Sequence, residues 1–312
     1  LSYIESDKAH ISAAEVTVLT ASGQTDYSGR VEQFKGHGNS TWARPKRSYK
    51  MYLQQKNSLL GMDKCKKWVL LSNVMDDSMM RNKLFTDMAK SCGLENTMDN
   101  AWVDLYVDGE YRGLYLLSEK IDVNSENFDI GDLEKETKAL NEEEINSFER
   151  YEYSYGPLHI QGWEIPEEPE DISGGYLIES DYEERLIDEA SHFTTTQKEH
   201  FVVKSPEYAS VMQITYIALF VQEFEDGIVA EDGINGRGLH YSQYIDMESF
   251  AKRYVLDEIS KNLDSGYSSF YCYKPKSENK LYAGPIWDYD TSLGNHGGWG
   301  LVETLSDPTG FY

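Results

Sequence analysis

Val103-Asp104-Leu105-Tyr106-Val107-Asp108-Gly109-Glu110-Tyr111-Arg112-Gly113-Leu114-Tyr115-Leu116-Leu117 is the stretch that reads most plainly. Its first five residues alternate apolar and polar, as a half-buried strand does. Asp108-Gly109 suits a two-residue turn that needs positive φ, and Tyr111 to Leu117 returns. The spacing predicts an antiparallel hairpin.

Upstream, residues 77–92 carry Met80, Leu84, Met88 and Cys92 at i+4, with Phe85 and Ala89 beside them. Asp76 and Asp77 suit a helix start and Gly93 a helix stop. Further back, Ala14–Leu19 and the alternating Ser48–Leu53 predict strands. Downstream, residues 122–172 are dense in Glu and Asp, as in Glu142-Glu143-Glu144. This segment is expected as an exposed acidic insertion or linker between lobes. Strands are expected at Tyr176–Glu179 and Phe201–Lys204. Two helices follow, one over about 208–224 with Ile214, Ile217, Ala218 and Val221 on one face. The other comes after Asp246, with Phe250, Tyr254, Val255 and Ile259 facing inward. Ser269–Tyr273 and Lys280–Trp287 predict a last hairpin. The organisation is thus a β-rich part over 1–121, the insertion over 122–172, and a remainder over 173–312.

The 312 residues are 40% hydrophobic and 13% aromatic, enough for a sizeable core. No apolar run is long enough to span a bilayer. With 29 Lys plus Arg against 54 Asp plus Glu, the net charge is −25. That field argues against nucleic acid or an anionic membrane as partner. Cys65, Cys92 and Cys272 have neither metal-ligand spacing nor an even count. The chain opens mid-pattern at Leu1-Ser2-Tyr3, the look of a sequence whose targeting segment has been removed.

Three places offer chemistry. In Gly36-x-Gly38-Asn39-Ser40, glycines let backbone N–H groups approach phosphates. A Gly-x-Gly turn by itself is only a turn. Arg44, Lys46, Arg47 and Lys50 follow within seven positions of an otherwise acidic chain, and such a cluster draws a polyanion. In Lys261-Asn262-Leu263-Asp264, the aspartate just past a helix suits either a turn or a proton acceptor. In Gly284-Pro285-Ile286-Trp287-Asp288-Tyr289-Asp290, with Asn295 behind, two carboxylates leave an apolar strand and can hold a hard cation. Chance alone yields roughly nine acidic-x-acidic triplets at this composition, so the apolar lead-in carries the argument. No His cluster has zinc spacing and Gly-x-Ser-x-Gly is absent.

The ordered motifs resemble the CotH kinase family. They include Gly36-His37-Gly38-Asn39-Ser40-Thr41-Trp42, Ser58-Leu59-Leu60-Gly61-Met62, Lys67–Asn73, Ser78–Asn82, Gly109–Lys120, Gly174–Glu179, Val203–Glu207, Lys261-Asn262-x-Asp264 and Gly284–Asp290. The resemblance implies an α+β, atypical protein-kinase-like fold of two lobes that binds ATP and Mg²⁺, with Mn²⁺ or Ca²⁺ as alternatives, between them. It implies transfer to Ser or Thr of a secreted, cell-surface or coat protein. On that analogy Asp264 is the catalytic Asp, and Asp288 with Asp290 or Asn262 holds the metal. Gly36, Gly38, Ser40 and Arg47 lie near phosphates, and the strand ending at Glu119 lies near adenine. The phosphate lysine is one of Lys46, Lys50 and Lys204. His-Arg-Asp and Gly-x-Gly-x-x-Gly are absent, so the ordinary kinase pattern does not apply. Two other functions remain open at this point. One is a non-catalytic structural or adhesion module on the same fold. The other is a metal-dependent phosphoesterase using the same carboxylates.

Overall fold

A computed structural model describes residues 1–124 and 126–295, so the end of the 173–312 region lies outside the described residues. The chain is α+β and builds two antiparallel sheets in succession. After a short helix α1 (Ser2–Ser6), strands β1 (Ile11–Leu19), β2 (Thr25–His37), β3 (Ser48–Asn57) and β4 (Cys65–Leu71) lead to helix α2 (Arg81–Ser91). Strands β5 (Asn100–Val107) and β6 (Glu110–Glu119) complete the first sheet, in the order β1-β2-β3-β4-β6-β5. The β5–β6 hairpin forms as expected, with Asp108 and Gly109 both at positive φ.

Helix α3 (Leu133–Leu140) and strands β7 (Arg150–Tyr155), β8 (Leu158–Trp163), β9 (Tyr176–Ser180), β10 (His192–Thr194) and β11 (His200–Ser205) come next. They are followed by helices α4 (Val211–Val229) and α5 (Met247–Ser260), then β12 (Phe270–Lys274) and β13 (Tyr282–Ala283). The second sheet runs β13-β12-β9-β11-β10-β8-β7.

The acidic segment 122–172 is therefore not an exposed linker. It supplies α3 and two strands of the second sheet. Leu133, Leu158 and Ile160 are buried in that sheet's core against Ile214, Ile217 and Ala218 of α4. The acidic side chains occupy the outward positions of these elements, so the dense charge concealed a sparse apolar pattern.

The helices also depart from the expected faces. Helix α2 starts at Arg81, because the Asp76 carboxylate accepts the Arg81 N–H at 2.9 Å and holds residues 76–79 in a turn. Phe85 and Ala89 are its buried residues, whereas Met80, Leu84 and Cys92 are exposed. Helix α4 begins at a capping box of Ser210 and Gln213 and extends five residues past the expected end. On α5 the correction is larger. Asp246 caps the helix at 2.7 Å, but Tyr254, Val255 and Ile259 face outward. Arg253, Leu256, Asp257 and Ser260 face inward. The buried surface that α5 meets carries Tyr289, whose hydroxyl donates to Asp257, and Phe270, which lies under the Arg253 guanidinium at 4.5 Å. A polar partner inside the fold reversed the face that hydropathy selected.

Each sheet has its own core, and a third cluster joins the halves. Phe85, Ala89 and Leu94 from the first half pack on Leu256, Ile286 and Tyr289 from the second.

Candidate functional site

A cleft of about 1580 Å³ lies between the two sheets. The cleft carries a cluster of lysines. Lys50 on β3 projects into it beside Lys120, Lys35, Lys8 and Lys204, all of which line the cleft. Burial, followed by repulsion from Lys120 and these neighbours, pushes the Lys50 ammonium down to about 7. Among the described residues no carboxylate pairs with Lys50 within ion-pair distance. Burial and the same lysines hold His37 well below its usual value. Buried like charges raise one another's free energy, and a bound anion relieves that cost.

The same cleft also carries an acidic group. Asp264, Asp288 and Asp290 all line the cleft. Burial, then repulsion from Asp290, Asp264 and Glu179, raises the Asp288 carboxyl well above its ordinary range. Burial, then Asp264 and Asp76, lifts Asp290 to about 6. Burial raises Asp264 against a hydrogen bond to Thr291 that lowers it.

The loop carrying these groups is held from both halves of the molecule. Asn262 is fully buried; its Nδ2 donates to the Asp288 carbonyl at 3.1 Å and its Oδ1 accepts from Thr291 at 2.9 Å. Ser269 Oγ donates to Asp288 Oδ2 at 3.4 Å. From α2, Asn82 Oδ1 accepts the Tyr289 N–H at 2.8 Å, and Arg81 Nε donates to the Ser292 carbonyl at 2.9 Å. Asn295 Nδ2 donates to the Met75 carbonyl at 2.8 Å. Asp288 itself sits at φ 56°, a left-handed conformation that aspartate tolerates. Asn82 and Arg81 were quoted above only as part of a motif. Their placement depends on α2 meeting a loop more than 200 residues away, which no local pattern reveals.

The sequence-derived residues divide accordingly. Gly38, Ser40, Lys50, Lys204, Asp264, Asp288 and Asp290 line the cleft. Gly36 does not: it is buried within β2 opposite Tyr49, and a Cβ there would stand 2.5 Å from the Trp42 ring. Lys46 donates to the Ser72 carbonyl at 3.0 Å and to the Leu114 carbonyl, over the Tyr115 ring. Arg47 donates to the Glu5 carbonyl and stacks on Trp42. Both basic residues serve the packing of the first sheet. Lys204 lines the cleft but is paired with Glu189 at 3.1 Å and Glu179 at 3.4 Å. Asn262 lies beneath the carboxylate loop, with its amide oxygen already engaged. Glu119 is buried at the end of β6, outside the cleft lining, close to Asp63 and Asp99. Lys120, one residue on, is the residue of that strand end that reaches the cleft.

The arrangement can bind a polyanion against Lys50 and Lys120 and a cation against Asp288 and Asp290, with Asp264 beside them as a proton acceptor. A family model described as CotH kinase protein matches residues 34–309. A comparison with curated proteins finds no match. No helix among the described residues is long and apolar enough to cross a membrane.

Proposed function

The chain belongs to the CotH kinase family, and on that premise we propose that it is an ATP- and metal-dependent phosphotransferase acting on serine or threonine hydroxyls of secreted, cell-surface or coat proteins. In this reading the two sheets are the lobes of an atypical protein kinase and the cleft between them takes the nucleotide. The observation that carries the proposal is the meeting, in one cleft, of a lysine cluster in which Lys50 has no carboxylate partner among the described residues and a cluster of desolvated aspartates. A metal–nucleotide complex carries the charges that complement both groups.

The residues fit a hard cation. Asp288 and Asp290 offer only oxygen donors, and their raised carboxyls lack an opposing charge. Such a donor pair suits Mg²⁺ or Mn²⁺, which take one or two carboxylates and complete their shell with phosphate oxygens and water. A bound Mg²⁺ would neutralise charge building on the phosphates. Lys50, with Lys120, would hold the phosphate oxygens, and Gly38 and Ser40 would border them. Asn262 and Ser269 would hold Asp288 in place. Asp264 would accept the proton of the acceptor hydroxyl, since burial raises its carboxyl and so makes it a stronger proton acceptor.

Asp264→Asn tests the assignment. Transfer of radiolabelled γ-phosphate to a pooled Ser/Thr peptide library is expected to fall by about 10²–10⁴-fold. Mg-ATP affinity, measured by calorimetry, is expected to stay near wild type, because the lost group acts on the transition state. Wild-type transfer by the variant would remove Asp264 from the mechanism. Release of phosphate with no peptide labelled would point to the hydrolytic use of the same carboxylates.

A further inference from the structure

A second group of acidic side chains lies outside the cleft. Asp63 comes from the loop before β4, Asp99 from the residue before β5, and Glu119 from the last position of β6. Each offers an oxygen within 4.8 Å of the others, the one such set of three among the described residues. The phosphotransfer reading makes no use of them.

Glu119 is the informative member. It is only 2% exposed, and its Oε1 has no hydrogen-bond partner. Its Oε2 accepts the Asp99 N–H at 3.0 Å and the Asn127 amide at 3.0 Å. Two donors thus fix the orientation of the carboxylate, while its second oxygen is enclosed and lacks a well-formed hydrogen bond, the Asp63 backbone N–H lying near the carboxylate. A buried acceptor in that state is costly to fold around, and more so when it is charged. Burial, with repulsion from Asp63 as a further cause, pushes the Glu119 carboxyl up to about 6. The nearby countercharge is Lys90, whose ammonium pairs with Asp99. That side chain is 36% exposed. Three carboxylates against one ammonium leave two formal negative charges, and Asp63, being exposed, opens the group to solvent.

We propose that Asp63, Asp99 and Glu119 form a binding site for a hard divalent cation of the Ca²⁺ type, separate from the nucleotide cleft. All three ligands are carboxylate oxygens, which hard cations select. Two ligand oxygens on opposite sides of one Ca²⁺ stand about 4.8 Å apart, so the observed grouping allows all three to share one ion. Ca²⁺ accepts irregular shells of six to eight oxygens, and three carboxylates, some bidentate, completed by water from the Asp63 side meet that need. Mg²⁺ demands a tighter octahedron, which ligands from three separate segments do not impose. The ion would displace Lys90 from Asp99 and tie the β3–β4 loop to the starts and ends of β5 and β6. Its position matters, because Glu119 directly precedes Lys120, where the chain leaves the first sheet along the cleft.

Titration of chelator-treated, nucleotide-free protein with CaCl₂ tests the site by calorimetry and by melting. Saturable binding that raises Tm is expected, with a weaker response to MgCl₂. Asp63→Asn, at an exposed position, and Glu119→Gln are each expected to abolish it. Lys90→Met is expected to tighten Ca²⁺ binding by about two- to fivefold, the worth of a half-exposed ion pair. Asp288→Asn is expected to leave it unchanged, which keeps this site distinct from the cleft and from the fate of the phosphotransfer reading. The proposal is overturned if neither wild type nor Lys90→Met binds Ca²⁺. It is equally overturned if binding survives Asp63→Asn but is lost in Asp288→Asn, or if Mg²⁺ and Ca²⁺ bind alike.

Discussion

Asp290→Asn should make the nucleotide-free protein more stable at neutral pH. Burial and the charges of Asp264 and Asp76 lift the Asp290 carboxyl from 3.8 to about 6. A shift of about two units corresponds to about 3 kcal/mol held against folding above pH 6. The direction follows from proton binding. Between about pH 4 and 6 the folded state keeps the proton that the unfolded chain has lost, so wild-type stability falls as pH rises through that window. Below both values the carboxyl is neutral in either state and the penalty vanishes. Asparagine keeps the shape and drops the charge. It also gives up part of the backbone N–H bonding that the carboxylate takes from its own residue and Thr291, so the net gain at pH 7 is about 1–3 kcal/mol. By the scaling for chains of 150–250 residues this is about 2–12 °C in Tm, and less in a longer chain. Melting of wild type and variant at pH 4 and at pH 7, with chelator present, reads the effect as a difference of differences. The variant should gain at pH 7 and match wild type at pH 4. Adding Mg-ATP at pH 7 should then stabilise wild type more than the variant. A variant that is equally or less stable than wild type at pH 7, with no change in the gap at pH 4, would refute the reasoning. It would show that the native fold already compensates Asp290, leaving nothing for a cation to relieve.

Four further outcomes are expected. Lys50→Met should weaken Mg-ATP binding by about 10–100-fold, the loss of a charge-assisted contact of about 1.5–3 kcal/mol, as read by calorimetry. Lys46→Met, whose ammonium bonds only backbone carbonyls outside the cleft, should leave binding unchanged. Asp257→Ala should cost about 3–5 kcal/mol by denaturant titration, because it strands the buried Arg253 and removes the acceptor of the Tyr289 hydroxyl. Gly36→Ala should lower Tm with an expected cost of about 1–3 kcal/mol, since its Cβ meets the Trp42 ring at 2.5 Å.

Residues 36–50 show how far local reading reached. The basic cluster was legible because four cations within seven positions stand out in an acidic chain. Alternation along β3 sends neighbouring side chains to opposite faces. Lys50 thereby enters the cleft, while Lys46 and Arg47, on the irregular approach to the strand, reach carbonyls of the first half. Type and spacing alone leave all three equivalent. Glu119 and Lys120 repeat the lesson, one residue apart and on opposite sides of the same strand end.

The sequence by itself determined the α+β class, the β5–β6 hairpin, the existence of α4 and, through its ordered motifs, the family. These are properties of short periods, turn chemistry and linear order, which need no knowledge of distant neighbours. Tertiary structure decided which side of α5 is buried, that the acidic stretch 122–172 is built into the second sheet, and which of the three lysines lines the cleft without a carboxylate partner. It also decided that Asp63, Asp99 and Glu119 meet. Each of these depends on the free energy of a side chain beside partners tens or hundreds of residues away. A buried arginine can displace an apolar face, and three carboxylates can converge, only after the strands carrying them have been placed.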